Sequence, residues 1–224
     1  MTFSLLARCP LTHRFGMAIS SSSPAVASRC AHARAGVGVA ATQNITDPAL
    51  GPRLLDLMET GLAAPEAMAR VVAEAPFIDY RQLMAVDAQG HVAVHSGARI
   101  LGVWGVAQGD GVVAGGNMLA GPDVPAAMIA GFGNHGDLGD RLIAALCAGR
   151  DAGGEAGPVH SAGLLMVDAE RWPVAELRCD WSDEGDPIEA VARAWVVYAP
   201  QMAAYVQRAR DPREAPSYGV AGDR

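Results

Sequence analysis

The chain has 224 residues, of which 50% are apolar and 18% are charged, a composition typical of a folded domain rather than of a disordered chain. Its formal charge of −7 and pI near 5.3 argue against a nucleic-acid-binding surface. No apolar run reaches the roughly 18 residues of a membrane helix, and the N-terminus lacks the pattern of a signal peptide. We therefore expect a cytoplasmic protein without nucleic-acid or membrane partners, with one domain over residues 1–210 and a flexible tail over residues 211–224.

The first predicted strand begins at Thr2, and residues 15–20 return as its hairpin partner. Thr2 is small enough for Met1 to be removed, which would leave a threonine with a free α-amino group beside its own hydroxyl. Such a residue can supply both nucleophile and base, because an α-amine with a pKa of about 7.7–8.0 can accept the hydroxyl proton. The alternative is an ordinary polar residue after the initiator methionine.

A run of serines at residues 20–23 follows the second predicted strand. One interpretation is a turn whose hydroxyls bond their own backbone. The other is that these hydroxyls face the same end of the sheet as Thr2, with Ser21 and Ser22 contacting a small-molecule substrate. Both interpretations stay open at this point.

The rest of the chain alternates runs of strands with pairs of helices. A third strand is predicted over residues 34–43, and Asp47 followed by Pro48 is typical of a helix start. The later predicted elements, in chain order, are a helix from residue 65 to before residue 76, a hairpin of residues 81–87 and 91–95, a strand at 111–118, helices at 122–132 and 137–148, strands at 160–167 and 174–180, and a helix from Asp186 to about residue 208. This order indicates an α+β fold in which two stacked antiparallel sheets carry helices on both outer faces.

The cysteines do not suggest a metal site. Cys9, Cys30, Cys147 and Cys179 are widely separated and form no C-x-x-C pair. Because no Cys or His has the short spacing of structural zinc ligands, we expect small buried residues in a reducing compartment. Neither a metal nor a cofactor is predicted.

Several segments together resemble one known family. They are Met-Thr-Phe-Ser at the start, Arg-Ala-Gly-Val-Gly-Val-Ala-Ala-Thr-Gln at residues 34–43, Gln-Leu-Met-Ala-Val-Asp at 82–87, Gly-Asn-Met-Leu-Ala-Gly-Pro at 116–122 and Ser-Ala-Gly-Leu-Leu at 161–165. Over about residues 1–205 the chain is similar to the bacterial domain-of-unknown-function family 1028. That family is grouped with the N-terminal nucleophile (Ntn) hydrolases, so the resemblance implies their four-layer αββα sandwich but no particular reaction.

The resemblance also implies roles for individual residues. It places Thr2 as the N-terminal nucleophile and Asn117 as an amide that stabilises an oxyanion, although Asn117 could equally belong to a Gly-Asn turn. Arg34 lies near the position where the proteasome keeps a lysine, and it could supply positive charge but not act as a base. The serine run replaces the acidic partner that the proteasome has after its second strand, which argues against a proteasome-like peptidase.

Three further residues complete the predicted substrate-binding group. His95 ends a strand and could be a second base, although a lone histidine is more often a structural hydrogen-bonding residue. Ser161 opens a late strand and could point into the same cleft as Thr2. Gln43, at the end of the third predicted strand, is assigned to the same group.

Two functions from different classes follow from these features. The first is a hydrolase of a small non-peptide amide, in which Thr2 attacks, its α-amine moves the proton and Asn117 with backbone N–H groups holds the oxyanion. The second is a catalytically silent protein of the same fold that binds a small metabolite or assembles as a homo-oligomer. They differ in whether Thr2→Ala abolishes a reaction or leaves ligand affinity unchanged.

Overall fold

A computed structural model describes residues 1–220 of the chain. The strands are β1 (Thr2–Arg8), β2 (Phe15–Ser21), β3 (Ala31–Arg34), β4 (Gly38–Asn44), β5 (Arg81–Asp87), β6 (Val92–Ser96), β7 (Gly105–Gly109), β8 (Val112–Asn117), β9 (Ser161–Val167) and β10 (Pro173–Cys179). The α-helices are α1 (Val26–Cys30), α2 (Leu50–Glu59), α3 (Ala64–Glu74), α4 (Val124–Phe132), α5 (Leu138–Asp151), α6 (Pro187–Tyr198) and α7 (Met202–Arg210). The structure is therefore of the mixed α and β type, as predicted.

The strands form two antiparallel sheets. One has six strands in the order β10-β9-β2-β1-β8-β7, and the other has four strands in the order β3-β4-β5-β6. Every pairing between neighbours is antiparallel. The prediction of two antiparallel sheets is confirmed, including the hairpins β1–β2 and β5–β6.

Strand β1 is buried at every position except Arg8, on both of its faces. Phe3, Leu5 and Ala7 belong to one hydrophobic cluster, which also contains side chains of α4, α5 and α6. Leu6 and Met17 belong to a second cluster, which combines side chains of both sheets. Since side chains alternate between the faces of a strand, the apolar run places β1 at the centre of the molecule.

A third hydrophobic cluster joins the four-stranded sheet to α2 and α3. Leu54 and Val71 from the helices are fully buried against Leu83 and Ala85 of β5. The alternate residues of β5, Met84 and Val86, lie instead in the cluster shared by both sheets. Apolar side chains therefore cover both faces of β5, which explains its continuous apolar sequence.

The prediction of a single third strand over residues 34–43 is wrong. The chain instead forms two paired strands, β3 and β4, that reverse direction at Gly36, whose φ of 72° suits glycine. Arg34 therefore ends β3 rather than opening the third strand. Strand β7, rich in glycine, was not predicted at all.

Two helix boundaries also differ from the sequence prediction. Helix α2 begins at Leu50 rather than at Pro48, because Asp47 caps the preceding turn by accepting the N–H of Ala49 at 3.1 Å. The predicted last helix is divided into α6 and α7 by a 3₁₀ turn at Ala199–Gln201. Proline in this turn lacks the N–H that a continuous helix would need.

The end of the chain packs on helix α7 as far as the structure describes it. Arg208 donates to the carbonyl oxygen of Pro216 at 2.8 Å, and its guanidinium lies 3.7 Å from the centre of the Tyr218 ring. The predicted tail spans residues 211–224, and residues 221–224 lie outside the described residues. The boundary at residue 210 and the flexibility of the tail stay predictions.

Two other expectations concern the cysteines and the membrane. All four cysteines are free thiols; Cys9 and Cys30 are buried as expected, whereas Cys147 and Cys179 are only half-buried. Within residues 1–220, the helices are too short or too polar for any of them to cross a membrane.

Candidate functional site

The Thr2 side chain lies at the first position of β1, where only 5% of the residue is exposed. Its Oγ1 lies 3.4 Å from the Oγ of Ser21 and hydrogen-bonds to the carbonyl oxygen of Met1. Across the sheet, Thr2 pairs directly with Asn117, the last residue of β8. The structure therefore places three of the predicted site residues at one end of the six-stranded sheet: Thr2, Ser21 and Asn117.

The serine run continues from Ser21 into a chain of hydrogen bonds that ends at a cation. Ser21 Oγ and Ser23 Oγ are 2.8 Å apart, and the N–H of Ser23 donates to Ser21 Oγ at 3.0 Å. Arg29, on the short helix α1, donates to Ser23 Oγ at 3.0 Å and to the carbonyl oxygen of Pro24 at 2.8 Å. The hydroxyls therefore order a turn, and they also lead from Thr2 to a guanidinium. Contact of Ser21 and Ser22 with a substrate stays a prediction.

A second polar chain runs between the sheets beneath Asn117. Ser4 Oγ donates to Gln43 Oε1 at 2.8 Å, and Gln43 Nε2 donates to Gln82 Oε1 at 2.8 Å. Asn117 Nδ2 donates to the same Gln82 oxygen at 3.3 Å. All four side chains are fully buried, and the Oδ1 of Asn117 has no hydrogen-bond partner within residues 1–220. An unsatisfied buried acceptor is uncommon in proteins and indicates a place where a ligand group or water can bind.

Glu155 supplies a buried carboxylate beside the serine run. It follows helix α5 in a glycine-rich loop, and only 5% of the residue is exposed. The N–H of Ser22 donates to both carboxylate oxygens, each at 3.1 Å. Burial raises the pKa of the Glu155 carboxyl to about 7, although the positive charges of the Met1 α-amino group and of His160 act in the opposite direction.

Ser161 supports the serine turn rather than facing Thr2. Its Oγ donates to the carbonyl oxygen of Ser23 at 2.6 Å and accepts the N–H of Val26 at 3.3 Å. The backbone of Ser161 also accepts a hydrogen bond from Ser20 Oγ at 3.0 Å. Its hydroxyl is therefore engaged in holding the start of α1.

Two predicted site residues lie elsewhere. The guanidinium of Arg34 contacts Asp56 and Glu59 on α2, and Arg34 pairs with Gly38 at the opposite end of β4 from Gln43. That separation of five residues corresponds to about 16 Å along a strand, so Arg34 cannot influence Thr2 directly.

His95 also lies away from Thr2. Its Nε2 lies 3.2 Å from the carbonyl oxygen of Ile78. The side chain lines a cavity against α3 with Met68 and Val72, on the helix-covered side of the four-stranded sheet. His95 therefore fits the interpretation of a structural hydrogen-bonding residue.

Sequence reasoning missed Gln82, Arg29 and Glu155. Gln82 carries only a weak signal, since it lies beside Arg81 directly before the apolar run of β5. Arg29 and Glu155 carry none, because a short helix and a glycine-rich loop have no periodicity that would show where their side chains point. No group of three or more His, Cys, Asp or Glu side chains in the described part of the chain could hold a metal ion.

The chain belongs to the family described as "Family of unknown function (DUF1028)", whose model matches residues 2–191. The family assignment made from the sequence motifs is confirmed. Comparison with curated proteins found no match.

Similar solved structures include the following two proteins. The crystal structure of protein SPO2555 from Silicibacter pomeroyi, which carries the same family model, is 28% identical with a TM-score of 0.81, over 88% of this chain and 89% of that one. The Anbu (ancestral beta-subunit) protein from Yersinia bercovieri is 12% identical with a TM-score of 0.42, over 91% of this chain and 97% of that one.

Proposed function

We propose that this protein is an N-terminal nucleophile hydrolase of a small non-peptide amide, with Thr2 as the nucleophile once Met1 is removed. One observation carries the proposal. The buried Thr2 hydroxyl lies 3.4 Å from Ser21 Oγ and directly across the sheet from Asn117, whose buried Oδ1 has no hydrogen-bond partner among residues 1–220. A nucleophile, a hydroxyl relay and an unsatisfied amide thus occupy one end of the sheet.

The reaction has two steps. Thr2 Oγ1 attacks the amide carbonyl while the α-amine of Thr2 accepts the hydroxyl proton, as its ordinary pKa of about 7.7–8.0 allows. The proton then passes to the leaving amine, and an ester on Thr2 remains. Water hydrolyses that ester, which releases the carboxylic acid and restores the hydroxyl.

Ser21, Ser23 and Arg29 take the place that the sequence analysis had given to Arg34. The chain of hydroxyls links the Thr2 side chain to a guanidinium that is always protonated. Positive charge at the end of such a chain favours the negative charge that develops on Thr2 Oγ1 as this oxygen loses its proton.

The four-layer αββα sandwich is part of the same proposal. Three hydrophobic clusters support it: one shared by both sheets, one joining the six-stranded sheet to α4, α5 and α6, and one joining the four-stranded sheet to α2 and α3. In such an arrangement, the open ends of the central strands form the site.

The test is covalent labelling of Thr2. An acylating β-lactone is added to the protein after its intact mass has shown that Met1 is absent. We expect acylation at Thr2, reduced acylation for Thr2→Ser and none for Thr2→Ala. Thr12→Ala, in the exposed turn after β1, is the matched control and should be labelled as the unmodified protein is. Retention of Met1 in protein from its own host, or equal labelling of Thr2→Ala, would exclude the mechanism.

A catalytically silent binding protein is the second candidate, and Asn117 favours it. Its Nδ2 uses one of its two N–H groups on Gln82, whereas the unpartnered Oδ1 is an acceptor, which suits a ligand N–H or O–H group rather than an oxyanion. In this case Thr2→Ala would leave the affinity for a small metabolite unchanged. Self-assembly into a homo-oligomer is compatible with either function and would make the melting temperature depend on protein concentration.

A further inference from the structure

The carbonyl oxygen of Met1 lies between the hydroxyls of Thr2 and Ser21. Thr2 Oγ1 hydrogen-bonds to this oxygen, and Ser21 Oγ donates to it at 2.5 Å. Met1 is the residue whose removal the proposed function requires. Its carbonyl group, an amide carbonyl beside the Thr2 hydroxyl, therefore represents the amide carbonyl of a substrate in the mature site.

The hydrogen bonds that lead to this oxygen have a fixed direction. A carbonyl oxygen can only accept, so the single proton of the Ser21 hydroxyl is directed to Met1. A guanidinium can only donate, so Ser23 Oγ accepts from Arg29. Since the hydroxyls of Ser21 and Ser23 are 2.8 Å apart, Ser23 donates to Ser21. The chain therefore runs in one sense, from the cation through two hydroxyls to the carbonyl oxygen.

The charge of Arg29 is available to this chain. Its guanidinium donates to Ser23 Oγ at 3.0 Å and to the carbonyl oxygen of Pro24 at 2.8 Å, and within residues 1–220 it forms no ion pair with an acidic side chain. Arg34, by contrast, contacts two carboxylates. Because the hydrogen bonds of a chain polarise one another, Arg29 makes the Ser21 hydroxyl a stronger donor.

Removal of Met1 takes away the acceptor of the Ser21 hydroxyl. Ser21 is fully buried, and a buried donor without a partner costs free energy. The position next to Thr2 Oγ1 then favours an oxygen that accepts a hydrogen bond, above all one that carries negative charge. The carbonyl oxygen of an amide under attack by Thr2 is such an oxygen.

We propose that the Ser21 hydroxyl is an oxyanion donor of the site, polarised by Arg29 through Ser23. This inference rests on the proposed function, because it takes Thr2 as the nucleophile. As Thr2 Oγ1 bonds to the amide carbon, the π electrons of the carbonyl pass to its oxygen, and the Ser21 O–H hydrogen-bonds to that oxyanion. Before the bond forms, the same hydroxyl lies 3.4 Å from Thr2 Oγ1. Ser21 and Ser23 keep their protons throughout.

The reaction balances with water as the sole co-substrate. The oxyanion reforms the carbonyl, the carbon–nitrogen bond breaks, and the amine leaves with the proton that the α-amine of Thr2 took from Oγ1. An ester on Thr2 remains, and water hydrolyses it through a second oxyanion at the same position. Ser21 therefore assists both the formation and the hydrolysis of the ester.

Two reagents that modify Thr2 separate this role from any other role of Ser21. An acylating β-lactone forms an oxyanion when Thr2 attacks it. Ethyl vinyl sulfone adds the same nucleophile to a carbon–carbon double bond and forms no carbonyl oxyanion. Both reagents are added to protein whose intact mass shows that Met1 is absent. Labelling is followed by mass spectrometry on the tryptic peptide of residues 2–8, which contains no cysteine.

Ser21→Ala should slow labelling by the β-lactone about 10²–10³-fold, the usual cost of losing one oxyanion donor, and labelling by ethyl vinyl sulfone by at most about tenfold. Ser21→Thr keeps the hydroxyl and should restore most of the β-lactone rate. Arg29→Gln should slow the β-lactone more than the sulfone, by a smaller factor than Ser21→Ala, since only the polarisation is lost. This variant decides the question if Ser21→Ala does not fold.

Ser20→Ala is the matched control. Ser20 is as buried as Ser21 but lies on the opposite face of β2, where its Oγ donates to the backbone oxygen of Ser161 at 3.0 Å, so both labelling rates should stay unchanged. Equal slowing of the two reagents by Ser21→Ala, or an unchanged β-lactone rate, would overturn the proposal and leave the proposed function standing. If neither reagent labels Thr2 in the unmodified protein, the proposed function fails, and this inference is overturned with it.

Discussion

Thr2 and Asn117 lie directly opposite each other in the antiparallel pairing of β1 with β8. Residues in such a pair have Cα atoms about 4.5–5.5 Å apart and present their side chains on the same face of the sheet. A slip of one position would turn Asn117 to the other face. The register between β1 and β8 therefore determines which side chain meets the Thr2 hydroxyl.

Asn117→Leu tests whether the amide acts in the reaction. Under the proposed function it should lower the rate of Thr2 acylation by about 10²–10³-fold, the usual cost of losing one oxyanion donor. Stability should change little, by about 1 kcal/mol, because Gln82 keeps its hydrogen bond from Gln43. Stopped-flow labelling and thermal melting measure the two effects separately. An unchanged acylation rate would mean that Asn117 does not stabilise the oxyanion.

Gly116→Ala tests the close approach of β8 to β1. A Cβ at Gly116 would lie 2.6 Å from Leu119 Cδ2 and 2.9 Å from the backbone oxygen of Thr2, and the backbone cannot move without shifting β1. We expect a loss of about 1–3 kcal/mol in the free energy of unfolding, together with slower acylation of Thr2.

Gly121→Ala is the matched control for that substitution. An added Cβ at Gly121 meets no atom within 4 Å among the described residues, so the melting temperature should stay close to that of the unmodified protein. Chemical denaturation of the two variants side by side provides the measurement. Equal stabilities would show that β1 and β8 can separate without cost.

The hairpins and the helix starts could be predicted from sequence because their signals are local. The β5–β6 hairpin follows from two apolar runs separated by a turn that contains Gly90. Asp137 and Asp186 accept N–H groups at the starts of α5 and α6, as their positions indicated. Strands β3 and β7 are short or glycine-rich, so their pairing with β4 and β8 rather than their composition defines them.

The candidate site could be predicted only where it lies on strands. Thr2 was found as the first residue of the first predicted strand, and Asn117 was assigned through the family resemblance, at the end of another predicted strand. Arg29 and Glu155 were missed, because the folding of α1 and of the loop after α5 onto the serine run is a tertiary event. Arg34 was misplaced for a related reason: the turn at Gly36 was read as part of a continuous strand.

Arg29→Gln and Arg34→Gln compare the cation found in the structure with the one expected from sequence. Arg29 reaches Thr2 through Ser23 and Ser21, whereas Arg34 pairs with acidic residues of α2. We expect Arg29→Gln to slow acylation by about tenfold or more, since a charge-assisted hydrogen bond is lost. Arg34→Gln should leave acylation unchanged. The reverse ranking in the labelling assay would mean that the serine relay does not operate.

Asp87 links the four-stranded sheet to helix α3, and its charge should make stability depend on pH. Its carboxylate accepts N–H groups from Ala64 at 2.8 Å, Gln89 at 2.9 Å and His91 at 2.9 Å, and it contacts the His91 ring at 3.0 Å. Burial alone would raise the pKa of Asp87, but these hydrogen bonds outweigh it and hold the pKa below its ordinary value of 3.8.

The sign of the effect follows from proton binding. Around pH 3.8 the unfolded chain takes up a proton at Asp87 more readily than the folded one does. The stabilisation is therefore complete above that pH and is lost as the pH falls through the folded pKa. Asp87→Asn should lower the free energy of unfolding by about 2 kcal/mol near neutral pH, and the difference from the unmodified protein should shrink in acid.

Urea denaturation from about pH 7 down to about pH 3 measures this difference. Asp110→Asn, in the exposed turn between β7 and β8, is the control and should change stability little at any pH, because its carboxylate lies in solvent. If Asp87→Asn and Asp110→Asn have the same effect across the range, Asp87 does not hold α3 onto β5 through its charge.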